Sequence, residues 1–323
     1  MDTRKVQMTS DGTFFVTLPK SWVTIHGIRR GTALSFTEGK DGKLLLGSHD
    51  ENHRESRTVK LNPGPTLERE IEEKYLLGYD LIEIESRSVI HSNVRDQVKS
   101  ILKKLVGLEI VEEDAQKIVI QCLIEPSLLS PERIIRRLHI MTKAMQQDAI
   151  TAFTTCDTRL AKTVVERDEE VDRLYFLLVR IVRDALTDLT IAERIHASPV
   201  DCLDFRILSS LIEHFGDTSA LIATNVPSSH HELPRQLSRS LNQTGETINL
   251  MYTSAVEAVL SRDLSSISKV GELQRKALDE VKGVERALLG LGHGILDETT
   301  SAITALKSMC EINVDIADLA IAR

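Results

Sequence analysis

Six carboxylates spaced in pairs at i and i+4 are the residues of this sequence best arranged to do chemistry. Asp168 and Asp172 form the first pair, Glu213 and Asp217 the second, Glu311 and Asp315 the third. In an α-helix that spacing puts both members on one face. Around the first pair the apolar seam runs Val164, Val171, Tyr175, Leu178 and Val182, so Asp168 falls within it and Asp172 one turn further along the same side. A carboxylate on an apolar stripe is costly unless it is paired or holds a cation. Glu213 and Asp217 sit among the small residues Ser210, Ala220 and Thr224, which leave room for an ion or for a closely packed helix. Acids at this spacing also occur as plain decoration of solvated helix faces, but like charges one turn apart repel. The third pair, flanked by Ser308 and Asp318, follows the second by 98 residues, about half of the helical region, and marks a tandem duplication.

A second set of charges lies near the N-terminus. The 323 residues carry a net charge of −8, which argues against a chain that coats nucleic acid along its length. Divided by region, residues 1–60 hold 10 basic and 7 acidic side chains, residues 61–125 hold 8 and 13, and residues 126–323 hold 22 and 28. The head is therefore basic and the body acidic. Arg4, Lys5, Lys20, Arg29 and Arg30 are the head's candidates for contact with DNA phosphates, and a dimer would present them twice.

The elements that must position these groups follow from periodicity and punctuation. Apolar residues make up 41% of the chain and aromatics only 4%, an aliphatic composition suited to packed helices. In the head, Arg4–Met8 and Thr13–Leu18 read as strands around the turn Thr9-Ser10-Asp11-Gly12. Lys20–His26 reads as a short helix between Pro19 and Gly27, and Ala33–Thr37 and Lys43–Leu46 as two more strands. This β-β-α-β-β unit is too small to be stable alone and is expected to share a core with a second copy. Ser48–Arg57 is a polar linker that includes His53. Residues 56–125 then read β-α-β-α-β-β, with Thr66 as an N-cap and Gly78 and Gly107 closing helices. From Ser130 onward helices are expected over 131–157, 159–188, 201–224, 231–260, 263–290 and 296–322, with a tight connection at Gly292-His293-Gly294. Six helices of that length make a bundle or a pair of bundles.

Two stretches resemble known families. Arg4-Lys5-Val6, Gly12, the run ending in Leu18-Pro19, His26-Gly27-Ile28-Arg29-Arg30-Gly31 and Leu34 resemble the AbrB/SpoVT swapped-hairpin DNA-binding domain over residues 3–47. That resemblance implies a barrel interlocked from two chains, with surface arginines on DNA. Thr13 stands where the family often has arginine, and its paired helix arginines are replaced near Val23 and Thr24. Asp168-Glu169-Glu170-Val171-Asp172-Arg173-Leu174-Tyr175, Glu213-His214-Phe215-Gly216-Asp217 and Glu311-Ile312-Asn313-Val314-Asp315 resemble the acidic signatures of the PhoU family of phosphate-uptake regulators over residues 128–323. The resemblance implies two three-helix bundles, iron or zinc held on these carboxylates, and a phosphate transporter or signalling protein as partner. In the second repeat the first acidic pair is met by Val281 with Glu285, or else by Asp279, and His214 replaces a more usual arginine.

The expected whole is a multidomain chain: a swapped-hairpin head (1–48), an α/β connecting domain (56–125) and an all-α pair of three-helix bundles (128–323). The function expected is that of a homodimeric, DNA-binding regulator of phosphate uptake, not an enzyme. The alternative is an adaptor whose head only dimerises. Glu193-x-x-His196 lacks the second copy that a di-iron centre needs, Pro234 interrupts the helix after His230-His231-Glu232, and Gly39-Lys40 lacks the earlier glycine of a phosphate loop. Cys122, Cys156, Cys202 and Cys310 show no metal or disulfide spacing. With a charged start (MDTRKVQ) and no run of 18 apolar residues, a soluble cytoplasmic protein without an integral membrane segment is expected.

Overall fold

The computed structural model describes residues 3–38, 42, 44–48, 56–227, 233–263, 265–288 and 296–321. Gly39-Lys40, His53, His230-His231-Glu232 and Gly292-His293-Gly294 lie outside the described residues. The chain divides into two compact units, Met1–Ser56 and Arg57–Arg323.

In the first unit, β1 (Gln7–Met8) pairs antiparallel with β2 (Phe14–Phe15) across a turn in which Gly12 takes φ +89°. Pro19 leads into α1 (Lys20–Ile25), and Gly27 at φ +60° lets the chain leave it. β3 (Leu34–Glu38) and β4 (Leu44–Ser48) form a second antiparallel pair. The β-β-α-β-β order is as the sequence predicts, but β1 and β2 are much shorter than their apolar runs. The two pairs remain separate sheets, and no barrel closes within the one chain among the described residues. Val6, Met8, Phe14, Ile25, Phe36 and Leu44 are all more than 60% exposed, and α1 buries none of its residues. Nothing within the unit covers these apolar faces, so nothing extends the pairing.

The second unit begins with a four-stranded sheet. β5 (Thr58–Leu61), β6 (Leu81–Glu85), β7 (Leu108–Glu113) and β8 (Lys117–Cys122) take the order β5-β6-β8-β7. β5 and β6 are parallel, joined through α2 (Leu67–Leu76), and the other pairings are antiparallel. α2 and α3 (Ser92–Lys104) bury Leu67, Ile71, Tyr75, Val98 and Ile101 with Ile82, Ile84, Ile118 and Ile120 in one small core. Gly78 and Gly107 both take φ +80° just after these helices.

The helical part comprises α4 (Pro131–Thr155), α5 (Thr158–Thr187), the short α6 (Leu189–Arg194), α7 (Pro199–Thr224), α8 (Arg235–Ser261), α9 (Ser265–Leu288) and α10 (Leu296–Ile321). α6 is absent from the sequence reading, which ran its residues into a connection. The start of α7 also moves: Pro199 is its first residue, behind a capping box in which Ser198 and Asp201 exchange hydrogen bonds. Ser130 and Asp157 cap α4 and α5 in the same way, each accepting from backbone N–H groups of the first turn. α4, α5 and α7 pack as one three-helix bundle and α8, α9 and α10 as a second. The bundles share a core through α4 against α8 and α7 against α10. Among the described residues no helix is long and apolar enough to cross a membrane.

Candidate metal centre

Two helices of the first bundle bring the first two acidic pairs together. α5 supplies Asp168 and Asp172, and α7 supplies Glu213 and Asp217. One carboxylate oxygen from each of Asp172, Glu213 and Asp217 lies within 4.8 Å of the others. Asp168, Asp172 and Glu213 are half-buried and Asp217 is exposed, so the cluster opens to solvent at one side. Asp168 Oδ1 is buried and has no hydrogen-bond partner among the described residues.

Gly216 makes this convergence feasible. A Cβ there would stand 3.1 Å from Thr142 Cγ2, 3.5 Å from Val171 Cγ1 and 3.6 Å from Asp168 Oδ1. The missing side chain lets α7 lie close against both α4 and α5. On its inner side the same turn of α7 is fixed by Phe215, which stacks on Tyr252 of α8 with ring centres 3.9 Å apart. The Tyr252 hydroxyl in turn shares a 2.7 Å hydrogen bond with Thr142 of α4.

The electrostatics are those of crowded, partly desolvated acids. Burial is the largest cause holding Asp168 up at about 7, with the charges of Asp217, Asp172 and Glu169 adding to it. Glu213 is likewise pushed up to about 7 by burial and then by Asp217, Asp172 and Asp168, against a small opposing effect of Arg206. Burial also raises Asp172 and Asp217, opposed by Lys104 and His214 respectively. Four carboxylates that resist ionising next to one another form a site for positive charge. All donors are oxygens, which suits hard cations such as iron or manganese better than zinc.

The remaining acidic candidates do not join this cluster. Glu311 and Asp315 are exposed on α10. Glu285 pairs with Lys307 of α10 at 2.5 Å, and Asp279 pairs with Lys282 at 3.2 Å. In the first unit Arg4, Lys5, Lys20, Arg29 and Arg30 are all exposed, with Lys20 opening α1 and Arg29-Arg30 preceding Gly31 at φ +91°.

Sequence reasoning missed Arg180. It is fully buried, donates through Nη1 to the carbonyls of Tyr75 at 2.8 Å and Tyr79 at 2.9 Å, and through Nη2 to Asp80 Oδ1 at 3.2 Å. Its Nε lies 3.9 Å from Asp184. Two turns beyond Asp172, it fastens the α/β segment to the helix that carries half of the cluster. The available signal was a lone charge inside the apolar run Leu177-Leu178-Val179-Arg180-Ile181-Val182.

Residues 135–226, which contain this cluster, match the family model described as the PhoU domain. The solved phosphate transport system regulatory protein PhoU from Streptococcus pneumoniae is 16% identical, covers 59% of this chain and 91% of its own, and superposes with a TM-score of 0.49. PhoU from Pseudomonas aeruginosa is 15% identical, covers 60% and 95%, and gives a TM-score of 0.46. No curated protein matches the sequence.

Proposed function

We propose that the chain is a cytoplasmic regulator of phosphate uptake whose helical half binds a metal ion and whose basic head dimerises and binds DNA. The observation that carries this reading is the four-carboxylate cluster of α5 and α7, set inside the stretch that matches the PhoU domain. The fit of a cation rests on the orphaned Asp168 Oδ1 and on the oxygen-only donors of Asp172, Glu213 and Asp217. When bound, the ion supplies the positive charge that lets all four acids ionise together. Dimerisation is supported by the apolar faces of β1, β2 and α1, which only a second copy of the head or an equivalent partner would cover. DNA binding is supported by the exposed arginines and lysines on that head.

The test is the response of phosphate uptake in cells lacking the chain and in cells complemented with variants. Loss of the chain should abolish adjustment of uptake to external phosphate, and the wild type should restore it. Asp172→Ala with Asp217→Ala should fail to restore it and should remove co-purifying metal in elemental analysis. Charge reversal at Arg4, Lys5, Arg29 and Arg30 should remove salt-sensitive binding to promoter DNA and the uptake response together. Uptake indifferent to deletion would overturn the reading. A reversal variant that complements fully while remaining dimeric would leave the adaptor alternative, in which the head only dimerises.

A further inference from the structure

One face of α5 carries Asp168, Asp172, Phe176 and Arg180 at successive intervals of four residues. Phe176 packs against the core of the α/β segment, and Arg180 is held by three hydrogen bonds to the Tyr75–Asp80 stretch of that segment. α2 and α3 both pack on α5. The segment that follows the linker is thus fastened to the helix immediately beyond the acidic pair. It brings its own charges with it: Lys104, in the last turn of α3, and Glu72, half-buried on α2.

We propose that the α/β segment is a wall of the carboxylate site and that Lys104 is the site's built-in counter-cation, which competes with a bound divalent cation. This inference rests on the cation-binding reading above. Its physical content is simple. An ammonium group near Asp172 stabilises the ionised cluster while no ion is bound and repels an ion that arrives. The opposition of Lys104 to the upward shift of Asp172, where Glu72 and Glu169 act the other way, is in accord with this placement. Of the other positive groups at the cluster, His214 and Arg206 belong to α7 itself. Lys104 is the one brought by a different part of the chain, so its effect depends on the docking held by Arg180.

Lys103 supplies the internal control, since it is exposed in the same helical turn and exerts no noted effect on Asp172. Titration calorimetry with Mn²⁺ on the full chain, at low and at physiological ionic strength, compares wild type with Lys104→Met, Lys104→Glu and Lys103→Met. Removing one charge within about a Debye length of a divalent ion should tighten binding by about three- to tenfold, and reversal should tighten it further. The gain should shrink with added salt, and Lys103→Met should bind like the wild type. A second readout needs no metal: without ions, Lys104→Met should melt below Lys103→Met, and Mn²⁺ should erase the difference. If the wild type binds Mn²⁺ but the two methionine variants behave alike in both readouts, the inference is wrong while the cation site stands. If the wild type binds none of Mn²⁺, Fe²⁺ or Zn²⁺, the cation-binding reading fails and takes this inference with it.

Discussion

Replacing Arg180 by methionine should uncouple the α/β segment from the first bundle at a cost that can be worked out from its contacts. The guanidinium is 0% exposed and donates three hydrogen bonds of 2.8, 2.9 and 3.2 Å. It also lies over the Tyr75 ring at 5.1 Å. Hydrogen bonds involving a charged group are each worth about 1.5–3 kcal/mol net, and removing one member of a buried charged network costs about 3–5 kcal/mol. Methionine recovers some apolar packing along the stem but leaves the Tyr79 carbonyl without its donor and Asp80 Oδ1 without its cation. The expected loss is about 3–4 kcal/mol. Hydrogen exchange is the suitable assay because a chain of several packed parts need not unfold in one step. Protection should fall first in α2 and β6, whose ends bracket Tyr75–Asp80, and less in α8 to α10. Arg183→Met, exposed one turn later on the same helix, should change protection by less than about 0.5 kcal/mol. A loss below about 1 kcal/mol in Arg180→Met, or one spread evenly over the chain, would refute the reasoning.

Two further outcomes follow from the same structure. Asp168 and Glu213 are held at about 7, whereas unfolded carboxylates titrate near 4, so the folded chain binds more protons between those values. Stability should therefore fall as pH rises from about 4 to about 7, with the full penalty present above 7. Both groups are only half-buried, so solvent screening reduces the penalty to about 1–2 kcal/mol together. Asp168→Asn with Glu213→Gln should flatten urea-melt stability across this window relative to the wild type, and an unchanged slope would exclude the cluster as its source. Gly107→Ala should destabilise the α/β segment by about 2–4 kcal/mol, because the residue takes φ +80° and a Cβ would meet Ile124 Cγ1 at 2.2 Å. Gly283→Ala, in a helix with nothing within 4 Å of the new Cβ, should instead stabilise by about 0.5–1 kcal/mol, and equal thermal shifts for the two would contradict both arguments.

Much of the architecture was legible because its signals are local. The order of the α/β strands and helices, and the glycines that end the helices at 78 and 107, follow from alternation and capping chemistry alone. The six long helices follow from apolar periodicity. What was illegible depends on tertiary contact. Pro199 reads as a break until Ser198 and Asp201 are seen to cap the helix it opens. Arg180 reads as one more charge on a charged chain, and only the approach of the Tyr75–Asp80 stretch turns it into a latch. The strands of the head read longer than they are because their apolar residues were assigned to a core that one chain does not contain.

The two halves of the duplication show why spacing alone could not decide which acids converge. Glu213 and Glu311 stand at matching positions, as do Asp217 and Asp315, and each pair occupies one face of its helix. Convergence also requires a partner helix close enough to contribute. In the first bundle Gly216 grants that approach, and Asp168 and Asp172 meet α7 without a basic residue between them. In the second, the position of Gly216 is taken by Val314, whose branched side chain needs the space that glycine leaves open. The acid facing α10 from α9 is Glu285, and Lys307 already neutralises it. A carboxylate with its own lysine has lost the electrostatic reason to recruit an ion. The same logic separates Lys307 from Lys104. The former is ion-paired with a carboxylate of its own bundle, whereas the latter reaches the first cluster from the α/β segment, where its influence can change with the docking of that segment.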